Sequence, residues 1–153
     1  MSVRFIILAL ALLASTVVVH ATEIVRVWPE WRTDESFVRL SELLGKGEKP
    51  GSQIFIRTNP EKRDGLYFLV RLAHASAIEG TLELSLIRPG KMESEVFKFP
   101  ASVPSGSSVF QLGLTGGDWP DPKTEPVAWR IALVDSSGAE QAAAESFLWS
   151  TPQ

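Results

Sequence analysis

The most regular stretch of the chain is Thr81 to Ser85 and onward to Leu86, where Leu82, Leu84 and Leu86 alternate with Thr81, Glu83 and Ser85. A period of two sends successive side chains to opposite faces, so this segment predicts a half-buried antiparallel strand. The same reading extends along most of the sequence. Ile24 to Trp28 is extended and closed by Pro29, and "QIFIRT" (Gln53 to Thr58) ends at Asn59-Pro60. "GLYFLVRLAH" (Gly65 to His74) is apolar on both faces and predicts a central strand. "EVFKFP", "SVFQLGL" and "PVAWRIALVD" follow, each bounded by turn residues, with "SGSS" (Ser105 to Ser108) read as a turn. Asp135 to Gly138, "DSSG", predicts a hairpin turn into a last strand, "QAAAESFLW", which pairs Phe147, Leu148 and Trp149 back onto its predecessor.

One segment breaks the period. In "TDESFVRLSELLGKG", Thr33 or Asp34 can cap, Phe37, Leu40, Leu43 and Leu44 recur at helical spacing, and Gly45 and Gly47 stop the run. This predicts a short helix of two to three turns, with a strand over "SFVRL" as the alternative. About eight strands at a spacing of roughly 8–12 residues are what a sandwich or barrel requires. The predicted fold is therefore all-β: an antiparallel immunoglobulin-like β-sandwich of about eight strands, with one short helix near the N-terminus.

The first 21 residues stand outside this pattern. Arg4 precedes an apolar run from Phe5 to Val19, and Val19-His20-Ala21 offers tolerable residues at a cleavage site. That arrangement predicts a secretory signal peptide. The alternative is a membrane anchor, but the run is short of the roughly 20 residues a span needs. Residues 22–153 then form a single domain of a length that buries a sizeable core unaided. The chain holds no cysteine, which removes disulfides, thiolate metal sites and a cysteine nucleophile. Export without disulfides suits a bacterial periplasm or cell exterior. Of 15 basic residues only Arg4 lies in the leader, leaving 14 against 18 acidic ones, scattered without a basic stripe. No nucleic-acid partner is expected, and no membrane span after cleavage.

The remaining chemistry is sparse. Beyond the leader there is one histidine, His74, and no G-x-S-x-G elbow, so a serine triad is not predicted. Phosphate-cradling and dinucleotide glycine motifs are also missing. No cofactor and no metal are expected, and no catalytic residue is assigned. Asp118 and Asp121 flank Trp119-Pro120; they suit a carboxylate pair or a calcium loop, but an Asp that starts a turn by bonding its own backbone explains the same letters. Glu93 and Glu95 share a face and read as solvated.

The tryptophans divide. Trp129 alternates with Val127, Ile131 and Leu133 and is placed in the core with them; Trp149 reads as core or edge cover. Trp28, Trp31 and Trp119 lie in "VWPEW" and "DWPDP", where the following proline holds Trp28 and Trp119 extended. With Asp118, Asp121 and Arg32 they are candidates for a ligand-binding platform, such as a sugar-stacking surface. The competing reading makes them lids over the open ends of the sandwich, and for Trp119 the lid is preferred.

The layout of leader, alternating strands, "AWRIALVDSSG" and a terminal "FLW" resembles that of uncharacterised secreted bacterial proteins with immunoglobulin-like sandwiches. The resemblance implies a fold and carries no site. The function expected is that of an exported, non-catalytic domain acting in protein–protein interaction or a structural role. A carbohydrate-binding module that uses the loop tryptophans on a cell-surface glycan is the alternative.

Overall fold

Alternating apolar positions close on one another in two layers. The computed structural model describes residues 22–37 and 53–150. Its strands are β1 (Glu23–Arg32), β2 (Gln53–Arg57), β3 (Gly65–His74), β4 (Ile78–Ile87), β5 (Ser94–Val103), β6 (Gly106–Thr115), β7 (Ala128–Asp135) and β8 (Glu140–Glu145). One sheet has the order β1-β3-β6-β2 and the other β5-β4-β7-β8. All pairings are antiparallel except β2 with β6, which run parallel.

The leucines of β4 illustrate why the layers form. Leu82, Leu84 and Leu86 are fully buried, and across the ladder they meet Leu133, Ile131 and Trp129 of β7. From the opposite sheet Leu66, Phe68, Val70 and Leu72 of β3 and Phe110, Leu112 and Leu114 of β6 fill the same core. Phe68 meets Trp129 edge-on at 6.0 Å between ring centroids. Burying each such side chain contributes about 1.5–3 kcal/mol, so the alternating pattern alone drives the two sheets together.

Four details differ from the sequence reading. First, β1 does not stop at Pro29 but runs to Arg32, with Pro29 opposite Phe68. β1 pairs with β3 alone, so proline's missing N–H costs the ladder no bond on an edge strand. Second, β8 ends at Glu145, and Phe147 to Trp149 turn away instead of pairing; Phe147 is 85% exposed. Ser146 causes the departure: its amide donates to the Trp129 carbonyl while its hydroxyl accepts from the Trp129 amide, and Trp149 N then closes a turn on Ser146 O. Third, β6 already begins at Gly106, so most of "SGSS" is strand. Fourth, Glu95 is paired with Arg88 and Lys91, where solvation alone was anticipated.

Helical backbone begins at Asp34 and continues through Phe37; the rest of the anticipated helix lies outside the described residues. Its first amide, Asp34 N, donates to the Asp64 carboxylate at 2.6 Å, so a distant side chain supplies the cap. Phe37 lies on the outer face of the first sheet, with its ring 5.3 Å from that of Tyr67 and 5.6 Å from that of Phe55. That outer face is therefore covered beside Tyr67. Beside β1, Trp28 is exposed on it.

Candidate functional site

Trp119 follows a 3-10 turn at Gly116–Asp118 and closes the end of the core. It is 1% exposed. Its indole Nε1 donates to the Thr124 carbonyl at 3.0 Å, and the Arg88 guanidinium lies 4.4 Å from its ring centroid. Arg88 is itself fixed: Nε donates to both carboxylate oxygens of Glu95 at 2.9 Å, and Nη2 donates to the Asp118 carbonyl. The Arg88 hydrogen bond holds the Glu95 carboxyl below the usual range, with Lys91 adding to it. An indole buried on one side and covered by a guanidinium on the other has no open face for a ligand.

Asp121 is spent on its own turn. Its carboxylate accepts from Lys123 N at 2.9 Å and from the Thr124 hydroxyl at 2.7 Å. The Thr124 bond, followed by the Lys123 amide, draws its carboxyl below the usual range. Asp118 lends the assembly its backbone carbonyl. Among the described residues, no group of three His, Cys, Asp or Glu could hold a metal ion. His74, at the end of β3, shares a hydrogen bond between its Nδ1 and the Thr22 hydroxyl.

The other three candidates sit on β1, not on loops, and they point to different places. Trp31 faces inward and packs against the core. With Pro29, Leu66, Pro122, Pro126 and Trp129 it lines a cleft of about 340 Å³ between β1 and the segment before β7, with Glu30, Thr124 and Glu125 also on the walls. Arg32 pairs with Glu30 at 3.3 Å and lies over the Phe37 ring. Trp28 faces outward and is 52% exposed, with the Arg26 guanidinium 4.7 Å from its ring centroid. The six candidates are thus spread over three locations: Trp119, Asp118 and Asp121 form a lid, Trp31 lines a cleft, and Trp28 and Arg32 lie on the outer face of the first sheet.

No family model matches the chain, and neither a curated protein nor a solved structure matches it.

Several surface residues depart from the sequence reading, which placed Val127 in the core with Trp129; β7 begins only at Ala128, so the alternation does not extend to Val127. Val127 (44%), Leu148 (55%) and Phe147 are exposed. Backbone bonds tie Val127 to Ile87 and Ser146 to Trp129, which places all three at the end of the sandwich where the Trp31–Trp129 cleft opens. Phe147 and Leu148 read as strand because they continue an apolar run, and nothing local signals that Ser146 will bond back to Trp129. Arg26 and Arg71 were missed because only the strand register brings them together.

Proposed function

We propose that this protein is an exported, non-catalytic β-sandwich domain that binds another protein through the end bearing the Trp31–Trp129 cleft. The apolar leader supports export to a periplasm or cell exterior. An immunoglobulin-like arrangement is supported by the strand order, in which β1, β3 and β6 face β5, β4, β7 and β8 and the chain crosses between layers after β3, β5 and β6. The parallel β2 is an addition to that scheme.

The observation that carries the reading is that Val127, Phe147 and Leu148, all exposed, lie at the same end of the sandwich as a cleft walled by prolines and tryptophans. Large apolar side chains grouped on a surface mark interaction sites, and aromatic anchors seated in such pockets dominate interface energetics. The loop-tryptophan sugar platform is less well supported, since Trp119 is buried and Trp31 faces inward.

The test is site-specific photo-cross-linking in the producing cells. A cross-linker at Val127 or Leu148 is expected to trap one discrete protein, while one at Glu83, on the outer face of the other sheet, traps none. With the cross-linker at Val127, Leu148→Asp is expected to abolish the adduct and leave the thermal midpoint unchanged. Equal labelling from all three positions, or none from any, rejects the reading.

A further inference from the structure

The outer face of the first sheet carries a second feature, remote in chemistry from the apolar end. β1 pairs regularly with β3 except for one irregularity between Ile24 and Arg26, where Val25 has no partner in the register. An extra residue reverses the alternation of a strand and re-aims the side chains on one side of it. Ile24 and Val27 accordingly both pack against the core, and Arg26 is turned outward directly opposite Arg71 of β3.

Like charges directly opposed across an antiparallel ladder are destabilising. Neither guanidinium is relieved by a carboxylate among the described residues, although the chain carries 18 acidic side chains and the neighbouring Glu30 is taken by Arg32. Arg26 stacks instead on Trp28. Arg26, Trp28, Glu30, Leu69 and Arg71 together line a shallow depression of about 250 Å³.

We propose that this depression binds a carboxylate-bearing sugar chain, a uronate polymer. Two guanidinium forks with no carboxylate partner among the described residues match the planar, bidentate geometry of a carboxylate. Trp28 lies two residues along the strand from Arg26, about 7 Å away at the usual rise, which is the reach of a sugar unit. Its exposed ring and Leu69, its partner across the ladder, provide an apolar strip for the C–H face of that unit. The Glu30 carboxylate beside it accepts a hydroxyl. A nucleic acid or polyphosphate fits poorly, because it needs many cations and the whole chain has a net charge of −3. The site is independent of the apolar end, so either can fail without the other.

The exported protein is titrated at low salt with polygalacturonate, neutral dextran and inorganic polyphosphate, following tryptophan emission and iodide quenching. Polygalacturonate alone is expected to shift the emission and protect Trp28 from iodide. Arg26→Gln and Arg71→Gln are each expected to weaken binding at least tenfold, and Lys98→Gln, on the other sheet, to leave it unchanged. Because it relieves the opposed charges, Arg71→Gln also raises the thermal midpoint of the free protein, which a merely structural arginine would lower. Leu148→Asp keeps full uronate binding, separating this site from the protein-binding end. No response to polygalacturonate, an equal response to dextran or polyphosphate, or undiminished binding by the arginine variants overturns the proposal.

Discussion

Trp119 shows how one side chain can hold several groups in place. Its ring fills the end of the core, its N–H satisfies a loop carbonyl, and its outer face seats Arg88, which Glu95 holds. Trp119→Ala is expected to cost about 3–5 kcal/mol, the range for deleting a large buried aromatic, measured by urea unfolding. Arg88→Ala loses the cation–π contact and leaves the Asp118 carbonyl without that donor, at about 1–2 kcal/mol. The five tryptophans also differ in access to solvent. Trp28 is the one exposed large aromatic among them, so iodide is expected to quench the wild-type emission in part and Trp28→Phe to remove most of that quenching. Trp119→Phe, by contrast, leaves the quenched fraction in place.

Two glycines have specific jobs within their strands and turns. Gly113 of β6 lies under the Tyr67 ring, where a methyl group would come within 2.6 Å of Cε1. Tyr67 has no room to yield, since its hydroxyl accepts from Arg57 Nε at 2.7 Å and donates to the Arg63 carbonyl at 2.8 Å. Gly113→Ala is therefore expected to destabilise by about 1–3 kcal/mol, the usual cost of overpacking, read from the denaturant midpoint. In the β7–β8 turn, Gly138 has φ 86°, a left-handed value that Asp135 reinforces by accepting from the amides of Ser137 and Ala139. Gly138→Ala should loosen this hairpin first, seen as faster amide exchange at Ala139 and along β8 while β3 and β6 keep their protection.

For the molecule as a whole, the carboxylate shifts contribute to how stability falls in acid. Glu95, Asp121 and Asp135 all have carboxyls held below their ordinary values of 4.5, 3.8 and 3.8 by hydrogen bonds, from Arg88, Thr124 and Ser137 respectively. A depressed folded-state pKa gives stability that is present above the unfolded value and is lost as pH falls through the folded one. Unfolding midpoints should therefore hold between pH 7 and 5 and decline below about pH 4.5, and Glu95→Gln should flatten the upper part of that decline. Burial acts in the opposite sense on Tyr67, raising its phenol above 10.0 despite the Arg57 bond. The stability it adds is full below that pH and disappears as pH rises through the raised value, which ultraviolet titration of the phenolate can follow.

The strands of this protein were legible because their periods are local. Leu82, Leu84 and Leu86 declare a buried face with no knowledge of their partners, and Trp129 follows the same rule. The Asp121 turn could be read from Asp alone, since its bonds run to Lys123 and Thr124. The features left open depend on distant groups. Pro29 sits within a strand because β1 is an edge, a fact settled by sheet order. Phe147 and Leu148 leave the sheet because Ser146 bonds to Trp129, 17 residues earlier. Trp119 is covered by Arg88, which follows β4 and is held by Glu95 of β5, so its neighbours along the chain could favour burial without deciding it. Arg26 faces Arg71 through a bulge, and a one-residue change in register decides which face a side chain occupies. Local patterning determined the elements, and long-range pairing decided which side chains meet the solvent and one another.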